Sequence, residues 1–356
     1  MNRNNGSFDD YLAGLDTKTF SSSKKEIDRT YRAVMKKAGL KRKAPKAKRI
    51  GRVCLIAAAA VACTAVTAAA AGFNVSELFR GYFERDSRNA AGSAASLTQS
   101  QILVLDKSGK PVGQSVTDNG TIISLKAAVC DKNSAYILLD VTAPEGTILD
   151  RGDYGFEEMS IDFHDTDNKG KGLNWVLCDQ KDENTRDNKK AYVLRINSSG
   201  LDLQGREIGL SMKNLSTLRE DGSTYDYAAK GSWKFDFKLG DGTDPKKLTD
   251  KKTAHYIGTN LTKNAALECT VETVSLSALS ATVDFSGSNL WDSHNYPEIP
   301  GYMTIQYRDG TKVTTTHNGP GHGDKQNYTT SYLFDAPIDV DSISSVTVGD
   351  LTVPVS

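Results

Sequence analysis

Cysteine is scarce in this sequence: five residues in 356. Cys54 and Cys63 fall in an apolar segment, and Cys130, Cys178 and Cys269 are scattered over the long C-terminal part. An odd number at irregular spacing, with no Cys-x-x-Cys, excludes a disulfide framework and a cysteine zinc site. A single Cys130–Cys178 bridge and buried free thiols both fit what remains. Histidine is equally sparse, with five in the chain. There is no phosphate-cradling glycine loop, no Gly-x-Ser-x-Gly elbow and no His-Glu-x-x-His pair. These absences remove the common signatures of nucleotide, hydrolase and metalloprotease chemistry. No catalytic residue, cofactor, metal or nucleic-acid partner is expected.

The net charge of zero hides a division. Residues 1–52 carry 15 Lys/Arg against 5 Asp/Glu, which leaves 29 basic and 39 acidic residues of the 44 of each for the remainder. The tail is therefore +10 and the rest −10. Opposite signs in two parts of one chain point to two environments.

Between them, Val53–Ser76 contains no charged residue. A helix over 53–75 would be about 35 Å long, enough to cross a hydrocarbon core of about 30 Å. It is apolar on every side, unlike the surface helix of a soluble protein. Alanine supplies 10 of its 23 residues, and only Val53, Leu55, Ile56, Val61, Val66 and Phe73 favour insertion strongly. Its flanks are more decisive. Lys36, Lys37, Lys41, Arg42, Lys43, Lys46, Lys48, Arg49 and Arg52 precede it, and the first charge after it is Glu77. The positive-inside rule then puts residues 1–52 in the cytoplasm and the C-terminal region outside the cell membrane. A secretory signal would have a far shorter n-region, and a lipoprotein signal would have a leucine-like residue three before Cys63, where Ala60 stands. A retained single-pass anchor is the reading that fits all three features.

In the tail, Ser23-Lys24-Lys25-Glu26 has the form of a capping box. Ile27, Tyr31, Val34 and Ala38 follow on one stripe of a helix over 24–38. Gly39 and Pro45 would end it. So short a helix is marginal alone in water. It is expected to lie on the anionic inner leaflet or to dock a cytoplasmic protein through Ile27, Tyr31 and Val34.

Beyond the span, residues 76–101 read as a short helical continuation and a polar linker. Period-two alternation then dominates. Ile123, Leu125, Ala127 and Val129 form one such series, and Trp233, Phe235, Phe237 and Leu239 another, each interleaved with more polar neighbours. A first β domain is expected over 102–240 and, after a Gly/Asp/Pro/Lys linker, a second over 251–356. Tyr302–Tyr307 and Lys312–Thr316 read as a hairpin around Asp309-Gly310. About seven strands in the second domain suit an antiparallel sandwich of immunoglobulin-like architecture. The fold class is therefore mainly β: a transmembrane helix, two sandwich-like outer domains and a short helical tail.

Two loops of the second domain hold three of the chain's five histidines beside aromatic residues. Trp291, His294 and Tyr296 lie in one, and His317, His322 and Asp324 in the other. Such a set could bind a sugar or a metal, but the same residues also occur as ordinary exposed loop side chains. The acidic pair Glu157/Glu158 reads as part of a net-acidic surface.

A basic tail and Ala/Val-rich span, then Ser76-Glu77-Leu78-Phe79-Arg80-Gly81-Tyr82-Phe83, are followed by Gly120-Thr121-Ile122-Ile123-Ser124-Leu125, which leads to Asp131 and the strand Tyr136–Val141. This layout resembles membrane-anchored anti-sigma-factor-like proteins of Gram-positive bacteria. Their outer part is a domain of unknown function, often followed by an immunoglobulin-like domain. The resemblance implies a tail that binds an extracytoplasmic-function sigma factor and outer domains that sense the envelope. The alternative is a membrane-anchored binding or adhesion protein with its ligand site in the Trp291 and His317 loops.

Overall fold

The computed structural model describes residues 74–86, 96–151, 153–164, 172–180, 184, 186–218, 225–248, 252–260, 263–287, 290, 301–315, 317–349 and 351–355. The tail helix over 24–38, with Ile27, Tyr31 and Val34, lies outside them, as do residues 53–73 of the expected span. Among the described residues no helix is long and apolar enough to cross a membrane.

Helix α1 (Val75–Asp86) opens the described chain, and α2 (Gln99–Ser108) follows. Residues 102–108 are thus helical, and period-two structure begins only at Gly109. The local cause is Thr98: its hydroxyl accepts from Gln101 N at 3.3 Å while Gln101 Oε1 accepts from Thr98 N at 2.8 Å. This reciprocal box satisfies two groups that a helix start otherwise leaves open. Asp106 of α2 in turn accepts from Ser76 N at 2.8 Å, tying the start of α1 to α2.

Eight strands come next: β1 (Gly109–Asp118), β2 (Thr121–Cys130), β3 (Ser134–Thr142), β4 (Gly155–Asp162), β5 (Gly172–Asp179), β6 (Lys189–Ser199), β7 (Glu207–Leu218) and β8 (Tyr225–Lys238). All pairings are antiparallel. One sheet has the order β1-β2-β3-β6-β5 and the other β4-β7-β8. Asn119 (φ 49°) and Gly120 (φ 79°) make the two-residue β1–β2 turn, a left-handed geometry these two residue types accept readily. Alternation sets which face is buried. Trp233, Phe235 and Phe237 point inward, whereas Lys234, Asp236 and Lys238 are exposed. They meet Ile123, Leu125, Ile137, Leu139 and Leu194 of the larger sheet in one core. Each such side chain contributes about 1.5–3 kcal/mol on burial.

The segment 240–250, expected as a linker, is built into the structure over much of its length. Cys130 Sγ donates to Gly240 O at 3.0 Å, and β9 (Lys246–Leu248) pairs with a strand of the second half. That half continues with β10 (Lys252–Asn260), β11 (Lys263–Leu276), β12 (Ser280–Gly287), β13 (Met303–Tyr307) and β14 (Lys312–Thr315). It ends with β15 (His317–Gly323), β16 (Asn327–Leu333), β17 (Ile343–Val348) and β18 (Leu351–Pro354). The sheets run β10-β11-β12-β16-β15, with β9 beside β11, and β14-β13-β17-β18. Val274, Val283 and Phe285 from one pack against Ile305, Val346 and Val348 from the other. The fold is mainly β and sandwich-like. The β13–β14 hairpin turns at Asp309-Gly310, where Gly310 has φ 88°.

Candidate functional site

A buried polar site that joins two turns starts from Asp131. Between β2 and β3, Asp131 N donates to Ser134 O at 2.9 Å. Asp131 Oδ1 accepts from Asn133 N at 2.9 Å and Ser134 N at 2.7 Å. This leaves Oδ2 aimed outward from the turn. It accepts from Leu279 N at 2.9 Å and Ser280 Oγ at 2.8 Å, both in the β11–β12 turn of the second half. The carboxyl is fully buried. Burial pushes its pKa up, while donors from both turns pull it back toward the charged form.

Around this contact lies an apolar cluster drawn from three parts of the chain. Phe79, Tyr82 and Phe83 come from α1, and Leu105 from α2. Ala127, Val129, Tyr136 and Val193 come from the outer face of the first sheet, and Ala278 and Leu279 from the β11–β12 turn. The rings of Tyr82, Phe83 and Tyr136 stand 5.1–5.7 Å apart at steep angles, the arrangement aromatic quadrupoles favour. Gln101 Nε2 of α2 also donates to Pro337 O at 2.8 Å.

A second contact joins the halves at His322, whose Nδ1 lies 3.0 Å from Ser199 Oγ at the end of β6. The approach is close. A Cβ on Gly200 (φ 99°) would stand 2.8 Å from the His322 ring, and one on Gly172 would stand 2.7 Å from Gly321 O. Glycine is required at both places.

The loop residues singled out from the sequence are placed separately. Trp291, His294 and Tyr296 lie outside the described residues. His317 begins β15, and nothing of its side chain is described. His322 faces Ser199. Asp324 accepts from Gln326 N and Asn327 N at 2.8 Å in the β15–β16 turn, and these bonds hold its carboxyl below the usual range. The structure therefore gives His322 and Asp324 different partners. Among the described residues no three His, Cys, Asp or Glu side chains group as metal ligands. Glu157 accepts from Asn214 and Tyr227, and Glu158 pairs with Lys213 at 2.5 Å.

Cys130 and Cys178 are both free, so the Cys130–Cys178 bridge is absent. Cys130 is buried under Gly240, and desolvation pushes its thiol up to about 12. An open cleft of about 930 Å³ runs between the start of α2 and the β13–β14 hairpin, lined by Leu97, Gln101, Ile305, Tyr307, Phe334 and Ile338 among others.

In the sequence Asp131 stands out only as the residue ahead of the strand Tyr136–Val141, with no sign of the partner turn, because Leu279 lies 148 residues further on. No family model matches the chain, and no curated protein matches it. One solved structure, described as the conserved domain protein from Bacillus anthracis, is similar over 67% of this chain and 75% of its own. The identity is 11% and the TM-score 0.44. A likeness of that size assigns neither fold nor function.

Proposed function

We propose that this protein is a single-pass membrane regulator of the anti-sigma-factor-like kind. Its basic tail binds an extracytoplasmic-function sigma factor in the cytoplasm, through Ile27, Tyr31 and Val34. Its two sandwich-like halves, the second of immunoglobulin-like type, form an extracytoplasmic sensing body.

The observation that carries this reading is the charge reversal. A tail of net +10 and a remainder of net −10 are separated by a segment, Val53–Ser76, with no charge at all. Lys and Arg on one side of such a segment keep that side in the cytoplasm. The tail also has an apolar stripe too small to form a core, which a protein partner would cover. On the far side, α1 begins at Val75 and is seated on the first sheet, so the segment leads directly into the folded body.

The test is co-purification from membranes. Full-length protein should retain a sigma factor, and a variant with Ile27→Ala and Tyr31→Ala should lose it while remaining in the membrane fraction. Equal recovery of every sigma factor with and without these substitutions, or recovery of none with the wild type, would sink the regulator reading.

A further inference from the structure

We propose that the β11–β12 turn is a releasable clamp that holds the helix pair α1–α2 on the first sheet, with the Asp131 carboxylate as its catch.

Three observations point the same way. The turn reaches the first half with a polar catch, Asp131 Oδ2 to Leu279 N and Ser280 Oγ, beside an apolar wedge of Ala278 and Leu279, each no more than 2% exposed. The wedge lies in the same cluster as Phe79, Tyr82 and Phe83 of α1 and Leu105 of α2. Moreover, the wedge is fixed to its own half by backbone bonds: Phe334 N donates to Leu279 O at 3.1 Å and Ile338 N to Ala278 O at 2.8 Å. Displacing the second half therefore withdraws Leu279 and leaves part of the α1–α2 cluster uncovered.

The helices also pack on the first sheet through Ala127, Val129, Tyr136 and Val193, and the Ala278–Leu279 wedge completes the cover of that cluster. α1 has 12 residues and α2 has 10, lengths that are unstable without a packed face. Ser280 Oγ also reaches Asp131 Oδ1 at 3.0 Å, but that oxygen accepts from Asn133 N and Ser134 N in its own turn as well, so the β2–β3 turn keeps its own bonds when those to Leu279 and Ser280 break. The proposed switch is the opening of this contact while each half stays folded. With the span expected over 53–75, α1 is the element nearest the membrane, so release would be felt there. That last step rests on the membrane reading; the clamp itself does not.

The experiment is hydrogen exchange on the full-length protein, comparing wild type with Asp131→Asn and with the milder Ser280→Ala. The expected result is exchange at least about tenfold faster in Val75–Asp86 and Gln99–Ser108 in one or both variants, with β3 and β12 still protected. Unchanged protection of α1 and α2 in both variants would overturn the proposal. Loss of protection throughout the chain in both would overturn it too, since the contact would then be part of the folding core rather than a catch. The His322→Ala variant, which touches only the other contact, should leave the helices protected. Because neither the span nor the tail is read out, failure here would leave the sigma-factor reading to its own test.

Discussion

Cys130 shows how environment decides what a side chain can do. Its thiol is buried, donates to Gly240 O and is pushed up to about 12, so almost no thiolate forms near neutral pH. Peptide mapping after brief alkylation of the folded protein at about pH 8 should find Cys130 unmodified, and complete modification only after denaturation. Rapid labelling of the native protein would mean that the Gly240 segment opens freely. Trp233 is a second such position. It is fully buried, and its Nε1 donates to Thr121 O at 3.2 Å, linking the two sheets of the first sandwich. Trp233→Ala should cost about 3–5 kcal/mol in a denaturant titration, and Trp233→Phe less, because most of the volume is retained.

At the level of elements, alternation was the most readable feature. Trp233, Phe235 and Phe237 separated by Lys234 and Asp236 reported both a strand and its buried face, and the β13–β14 hairpin was visible in Asp309-Gly310. Helix α2 was not read, because Ile102 and Val104, both β-branched, fit the start of a strand. The signal that outweighs their β-branching is Thr98 with Gln101 three residues on. Thr98→Ala should therefore destabilise α2 by about 1 kcal/mol, and Thr98→Asn should largely restore it, as measured by exchange of the Gln101 and Ile102 amides. Asp131 was legible only as the residue ahead of the strand Tyr136–Val141. Its role depends on a turn 148 residues away, and long-range pairing of that kind leaves no local periodicity.

On the scale of the whole molecule, a charge-divided chain leads into a β-rich body whose first helix starts where the uncharged segment ends. The roles proposed for the tail and the span follow from charge and hydropathy. The arrangement of the body adds a physical consequence: anything that displaces the second half pulls on the cluster that seats α1. The most direct test of the central claim is the side of the membrane on which residue 77 lies. A dual topology reporter fused after Glu77 should read as extracytoplasmic, and neutralising Lys46, Lys48, Arg49 and Arg52 together should shift a measurable fraction to the inside. A reporter found wholly in the cytoplasm with the native flank intact would contradict the account.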